Sequence, residues 1–118
     1  MRPHHSAAYV RAVIEAYRRL PGARGQVRPA DRRLAATLCR QGVPLHTVHA
    51  AMLVACARRA ARPTDAEPLP PIGSLHYLRP VIEEITDLPL AEGYTDYLKH
   101  LLARMAPDLI AAIGHRIP

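Results

Sequence analysis

The stretch DRRLAATLCRQGVPLHTVHAAMLVACARRAAR, residues 31–62, decides the fold that this sequence predicts. On each side of Gly42 the apolar residues recur at three- and four-residue intervals, which is typical of helices that bury one face. Asp31 is expected to cap the first helix and Gly42 to end it, since glycine readily adopts a left-handed conformation. The predicted inward positions are Leu34, Ala35, Leu38 and Cys39 on the first helix, and Leu45, Val48, Met52, Ala55 and Cys56 on the second.

The same segment resembles the helix-turn-helix motif of DNA-binding proteins. That motif needs a small residue at its turn and a buried aliphatic residue about six positions later, and Gly42 with Val48 meets both requirements. The resemblance implies that the start of the second helix faces a DNA groove through His46, Thr47, His49 and Ala50. An ordinary helical hairpin with glycine at its corner is the alternative.

The charge of the chain is divided between its two halves. Twelve arginines and two carboxylates give residues 1–62 a net charge of +10, whereas residues 63–118 carry −4. Arginines placed on phosphates release condensed counterions, so a basic half favours a nucleic-acid partner. A codon bias toward arginine, with solvated side chains, is the alternative. The arginines predicted to contact phosphates are Arg24, Arg28, Arg32, Arg33, Arg40, Arg58, Arg59 and Arg62.

The segments around this pair of helices also predict helices. Residues 1–5 are expected to be frayed, Ser6 to cap a first helix with an apolar stripe from Val10 to Leu20, and Pro21 with Gly22 to end it. Residues 63–73 are proline-rich and predict an extended connector. Ser74 is expected to cap the next helix, which Pro80 bends or splits. The sequence therefore predicts a single all-α domain over residues 1–118, a compact bundle of five or six short helices.

The last strong pattern is the amphipathic segment GYTDYLKHLLARM, residues 93–105. Its apolar positions form one stripe, in which Tyr94 and Tyr97 are expected to be core residues rather than platforms for unpaired bases. Residues 108–117 predict a final short helix. The full predicted stripe is Tyr94, Tyr97, Leu98, Leu101, Leu102 and Met105.

Residues 42–86 show a second resemblance. A glycine is followed by a valine-containing helix, a proline-rich link, the pattern S-x-x-Y at residues 74–77, and an aliphatic segment. This order resembles the C-terminal helical domain of the DnaD- and DnaB-type primosomal replication proteins, and small replication-associated proteins of bacterial mobile elements. In that family the tyrosine-containing helix contributes to DNA binding, and Tyr77, Val81 and Ile82 correspond to it. The resemblance implies a bacterial accessory role in DNA replication or in a mobile element.

No motif predicts an enzyme, a cofactor or a metal site. The phosphate-binding, dinucleotide-binding, zinc-protease and serine-hydrolase motifs are absent from the sequence. His4 with His5, and His46 with His49, lack a third ligand nearby. Cys39 and Cys56 are expected to be core residues of a protein in the reducing cytoplasm, with no membrane segment.

Two functions remain open on the sequence alone. The first is a non-enzymatic nucleic-acid-binding accessory protein, with DNA favoured over RNA, which contacts the phosphate backbone through its arginines. The second is a helical protein-interaction subunit of a larger nucleoprotein complex, or a chain that self-associates through its oppositely charged halves.

Overall fold

A computed structural model describes the backbone of residues 3–114 and the side chains from Ser6 onward. Within this range the chain is all-α and contains no strand, which confirms the predicted compact bundle. Its helices are α1 (Pro3–Arg18), α2 (Pro29–Arg40), α3 (Leu45–Ala60), a 3₁₀ helix (Leu75–Leu78), α4 (Arg79–Asp87), α5 (Tyr94–Leu102) and α6 (Pro107–Ile113). None of these helices has the length and apolar character that a bilayer span requires.

Helix α3 is the centre of the bundle, with α1, α4, α5 and the 3₁₀ helix packed around it. It is buried on nearly all sides between Thr47 and Cys56, where only His49 is partly exposed. The small side chains of Ala50, Ala51 and Ala55 let the neighbouring helices approach closely, and Met52 and Leu53 fill the space between them. A core without Phe or Trp therefore closes around one alanine-rich helix.

The glycine turn between α2 and α3 forms as the sequence predicts. Gly42 has φ +79°, and its N–H donates to the Cys39 carbonyl at 3.0 Å while the Val43 N–H donates to the Leu38 carbonyl at 3.1 Å. These two bonds define a Schellman motif, which satisfies carbonyls left over at the end of α2. The Tyr9 hydroxyl on α1 donates to the Val43 carbonyl at 2.8 Å and ties the turn to the first helix.

The helix-turn-helix hairpin is not confirmed. Helix α2 packs chiefly against α1 and the 3₁₀ helix, and it makes little contact with α3. Leu38 is buried in the core of the bundle. Since α3 is enclosed by other helices, its first half lacks the open face that a recognition helix needs.

Two helices begin earlier than the sequence predicted. Helix α1 starts at Pro3 rather than after Ser6, so residues 3–5 are helical; residues 1–2 lie outside the described range. Helix α2 starts at Pro29, and Asp31 is its third residue rather than its cap. In both cases proline occupies the first turn, where its fixed φ suits the helix and its missing N–H costs nothing.

The proline-rich connector contains no helix, but it is not extended throughout, because it begins with a turn in which the Ala66 N–H donates to the Pro63 carbonyl at 3.1 Å. The Ile72 N–H donates to the Gly22 carbonyl at 2.7 Å, which pairs the connector with the loop after α1. Ser74 then caps the 3₁₀ helix by accepting the His76 N–H at 3.1 Å, as predicted. The helix splits before Pro80, which lies in the first turn of α4, because proline cannot donate within a continuous helix.

The prediction that the α5 tyrosines are core residues is wrong. Leu98 and Leu102 face the core, but Tyr94 and Tyr97 are exposed and stack on each other with ring centroids 5.8 Å apart. Neighbouring helices cover only the side of α5 that carries Leu98 and Leu102. The predicted apolar stripe is therefore wider than the face of α5 that packs against other helices. Helix α6 ends at Ile113, and residues 115–117 of the predicted last helix lie outside the described range.

Candidate nucleic-acid interface

Helix α2 carries arginines on its outer face because its apolar residues are confined to the opposite face. Leu34, Ala35 and Leu38 are buried, whereas Arg32 and Arg33 are exposed. Arg40 lies two turns beyond Arg33 on the same exposed side, and its guanidinium donates to the Thr37 hydroxyl at 3.1 Å. This strict separation leaves three cations in solvent along one short helix; they are Arg32, Arg33 and Arg40.

The loop before α2 extends this positive surface. Arg24 and Arg28 are exposed, and Arg28 lies one turn before Arg32, which puts the two side chains on the same side of the helix start. Among the described residues, the guanidinium groups of Arg24, Arg32 and Arg33 have no hydrogen-bond or ion-pair partner. We call this set the α2 basic surface; it comprises Arg24, Arg28, Arg32, Arg33 and Arg40.

The carboxylates of the first half do not neutralise the α2 basic surface. Glu15 of α1 forms an ion pair with Arg19, the residue that directly follows this helix. Asp31 is 1 % exposed and its oxygens accept hydrogen bonds inside the protein. These are the two acidic residues before Asp65. The first half of the chain therefore leaves no unpaired carboxylate for the exposed arginines of α2.

Asp31 binds three donors from two separate parts of the chain. Oδ2 accepts the Arg28 N–H at 3.0 Å, and Oδ1 accepts the Leu75 N–H at 2.9 Å and the Ser74 hydroxyl at 3.2 Å. The first bond closes the start of α2, and the other two attach the start of the 3₁₀ helix to it. The sequence signal for this role was the position of Asp31 after Pro29, since proline in the first turn moves the cap back to Arg28.

The arginines at the end of α3 are occupied within the chain. Arg58 binds Glu84 of α4 at 2.6 Å, and this hydrogen bond raises the pKa of Arg58 and lowers the pKa of Glu84. Arg59 donates to the Pro70 carbonyl at 3.1 Å and lies 5.7 Å from the centre of the Tyr77 ring. Arg62 donates to the Glu67 carbonyl at 2.8 Å. These three predicted site residues fix the connector and α4 to α3.

The residues predicted to read bases are mostly not accessible. His46 is exposed, but Thr47 is only 9 % exposed and Ala50 is buried. The expected exposure of Thr47 and Ala50 is wrong, because both side chains face neighbouring helices of the bundle.

His49 is partly buried, and its Nε2 atom is enclosed without a hydrogen-bond partner among the described residues. Burial, with the nearby charges of Lys99 and His46, lowers the pKa of His49 to about 4. The imidazole is therefore neutral at pH 7, and the start of α3 adds little positive charge to the α2 basic surface.

No group of three metal-ligating side chains occurs among the described residues. His46 and His49 share α3 without a third ligand, and the side chains of His4 and His5 lie outside the described range. The thiols of Cys39 and Cys56 are buried, as expected for core residues, and the two cysteines form no disulfide.

No protein-family model, curated protein or solved structure matches this chain. The resemblance to the DnaD and DnaB-type domain stays a prediction. Of its three corresponding residues, Tyr77 is exposed beside Arg59, Val81 is partly buried and Ile82 is buried. An exposed tyrosine next to a cation is compatible with a nucleic-acid contact, although Arg59 also holds the connector.

Proposed function

We propose that this chain is a nucleic-acid-binding accessory protein that contacts the phosphate backbone through the α2 basic surface. One observation carries the proposal. Its arginines are exposed, while both carboxylates in the same half of the chain are engaged, Glu15 with Arg19 and Asp31 with the N–H groups of Arg28 and Leu75. Such a surface attracts polyanions and gains free energy when counterions are released.

The proposed contact neutralises phosphates and does not depend on base sequence. Base reading needs side chains held at fixed positions against groove edges, and among the residues at the start of α3 only His46 is an exposed polar side chain. The arginines of α2 lie on a helix whose other face is packed, so the helix is rigid while the guanidinium groups are free to follow a backbone. We favour DNA, in replication or in a mobile element, because of the resemblance in residues 42–86. Two buried cysteines that form no disulfide suit a reducing compartment such as the cytoplasm.

The test is charge reversal on α2. Arg32→Glu with Arg33→Glu changes two exposed side chains that have no partner within the described chain, so the fold should be retained. We expect affinity for duplex DNA to fall at least about tenfold at low salt, equally for unrelated sequences. The slope of log affinity against log salt concentration should fall by about 2, close to 0.9 for each lost phosphate contact. Fluorescence anisotropy between about 50 and 200 mM salt measures both quantities.

The matched control applies the same charge change to arginines that are engaged within the chain. Arg58→Glu with Arg62→Glu should weaken DNA binding much less than the α2 pair, and thermal unfolding would show whether either variant has lost its structure. Equal losses for the two pairs would contradict an interface at α2 and indicate a general charge effect. A flat salt response of the unaltered chain would reject the proposed function.

A second candidate is a protein-interaction subunit of a nucleoprotein complex. The observation that favours it is the exposed apolar surface of α5, since an accessory protein that binds phosphates alone has no need of one. In that case the α2 basic surface would contact an acidic protein or nucleic acid held by another subunit. Absence of any DNA or RNA binding at low salt, with an intact fold, would favour this candidate.

A further inference from the structure

A recess lies where three helix ends meet. Helix α3 begins after Pro44, α4 ends at Asp87, and α5 begins after Gly93, which has φ +84°. Because each helix starts or stops here, none of them crosses the gap, and a recess of about 590 Å³ is left between them. We call it the α3–α5 recess. Its volume lies within the range of about 300–1,000 Å³ that is typical of small-molecule sites.

Much of the lining of the α3–α5 recess is apolar. Ala50 and Ile85 belong to its inner side, since both line it and are only 6 and 8 % exposed. Leu90 is partly buried, and Pro44 and Pro89 line the recess where the chain is exposed. Apolar surface of this kind gains free energy when a ligand removes it from water. The recess therefore favours a ligand with an apolar body.

Thr47 supplies a hydroxyl that no other group of the described chain binds. This residue lines the recess and is only 9 % exposed, yet its hydroxyl has no hydrogen-bond partner among the described residues. Thr86 lines the same recess, but its hydroxyl donates to the Ile82 carbonyl at 2.8 Å. A polar group that is withdrawn from bulk water without a partner is unfavourable. A bound molecule with a hydrogen-bonding group would remove this cost at Thr47.

A carboxylate determines the charge that the α3–α5 recess accepts. Glu92 lines the recess, is exposed, and has no ion-pair partner among the described residues. Within the described chain no lysine or arginine lines the recess, and its other ionisable residue is His46, whose imidazole can accept a hydrogen bond. The start of α5 does not reverse this preference, because Asp96 lies in its first turn. The recess therefore attracts an ammonium group and repels a phosphate.

We propose that the α3–α5 recess binds a small amine with an apolar body that carries one further hydrogen-bonding group. The apolar body packs on Ala50 and Ile85, the ammonium group pairs with Glu92, and the further group bonds the Thr47 hydroxyl. A concave site lined from three elements fits a compact molecule better than the flat surface of another protein. This inference goes beyond the proposed nucleic-acid contact and does not depend on it, because no residue of α2 lines the recess.

Three indoles that differ in one group test the proposal on the full chain. Tryptamine carries an ammonium group, tryptophol has a hydroxyl in its place, and indoleacetate has a carboxylate. In a nuclear magnetic resonance titration we expect saturable tryptamine shifts at the amides of Thr47, Ala50 and Thr95, with a dissociation constant on the order of 1 mM. Tryptophol should bind at least about threefold more weakly, and indoleacetate about tenfold more weakly. The net charge of +6 favours the opposite order, so this order cannot result from general charge attraction.

Two pairs of variants test the assigned groups. Glu92→Gln should lower the affinity for tryptamine to that for tryptophol, whereas Glu83→Gln, which removes the same charge from α4 outside the recess, should have little effect. Thr47→Val should weaken binding of all three indoles by about two- to tenfold, the value of one hydrogen bond. Thr86→Val is its control, because that hydroxyl is already bonded to Ile82, and affinity should stay within about twofold.

Several results would overturn the site. They are indoleacetate binding as tightly as tryptamine, shifts spread over the whole surface, or no saturable shift with any indole up to about 20 mM. Shifts of the recess amides that depend on protein concentration without any indole would assign the recess to a second copy of the chain instead. Thermal unfolding should show the variants to be folded, and the comparison of the three indoles on the unaltered chain does not depend on that outcome.

Discussion

Replacing Asp31 by alanine should destabilise the fold more than any exposed substitution. The carboxylate accepts the N–H groups of Arg28 and Leu75 and the Ser74 hydroxyl, at 3.0, 2.9 and 3.2 Å. Each hydrogen bond to a charged group contributes about 1.5–3 kcal/mol, and Asp31→Ala leaves the buried Leu75 N–H and two partly buried donors without their acceptor. Since such losses in one network are not additive, we expect a cost of about 3–5 kcal/mol, a large part of the 5–15 kcal/mol typical of a domain. Asp31→Asn keeps one acceptor oxygen and should cost roughly half as much.

Urea denaturation at pH 7, followed by circular dichroism, measures the free energy of unfolding for each variant. Hydrogen exchange at the Leu75 amide adds a local readout, because Asp31→Ala removes the acceptor of that N–H. Asp65→Ala is the control, since Asp65 is exposed in the connector, and it should change stability by less than about 0.5 kcal/mol. A loss below about 1 kcal/mol in Asp31→Ala, with unchanged protection at Leu75, would refute the assigned role.

Three further predictions concern the turn and the central helix. Gly42→Ala should lower the free energy of unfolding by about 1–2 kcal/mol. The whole cost comes from the φ of +79°, since a Cβ at this position would meet no atom within 4 Å. Gly73→Ala is the control, because Gly73 has an ordinary φ and equal space, and this change should be nearly neutral in the same urea assay. Tyr9→Phe should cost about 1 kcal/mol, since it leaves the Val43 carbonyl without its donor; an unchanged midpoint would show that water replaces the hydroxyl. The pKa of His49 is lowered from 6.5 to about 4, so the unfolded chain binds a proton that the folded chain does not. The contribution of neutral His49 to the free energy of unfolding should therefore be fully present above pH 6.5. It should fall by roughly 2 kcal/mol toward pH 4, and His49→Leu should flatten the dependence of stability on pH in this range.

The sequence predicted the positions of the helices better than it predicted which of their side chains are buried. The periodic apolar residues correctly predicted where the helices lie. Gly42 ends α2, Ser74 caps the 3₁₀ helix and Pro80 lies at a break, in agreement with the local rules for these residue types. Periodicity does not show how many neighbours a helix has. Thr47 was therefore predicted to be exposed and is buried, and Tyr97 was predicted to be a core residue and is exposed. Those outcomes depend on which helices pack together, a property of the whole chain rather than of any window.

The same limit applies to the candidate interface. A count of arginines cannot separate those in solvent from those that bind groups of the same chain, because the second group depends on tertiary partners. Arg58 meets Glu84, which is 26 residues away, and Arg59 meets the connector and Tyr77. Arg32 and Arg33 have no such partner among the described residues. Sequence reasoning therefore found the basic half but not the part of it that remains available.

The glycine turn separates two kinds of helix, and this separation determines which of them keeps an open polar face. Helix α2 is strongly amphipathic, so burying Leu34 and Leu38 necessarily directs Arg33 outward. Helix α3 is apolar on nearly all sides, so other helices of the bundle pack against most of its surface. A helix-turn-helix requires the second helix to be the open one, and here that helix is the closed one. The proposed contact with nucleic acid therefore belongs on the outer face of α2, where the exposed arginines match phosphates rather than base edges.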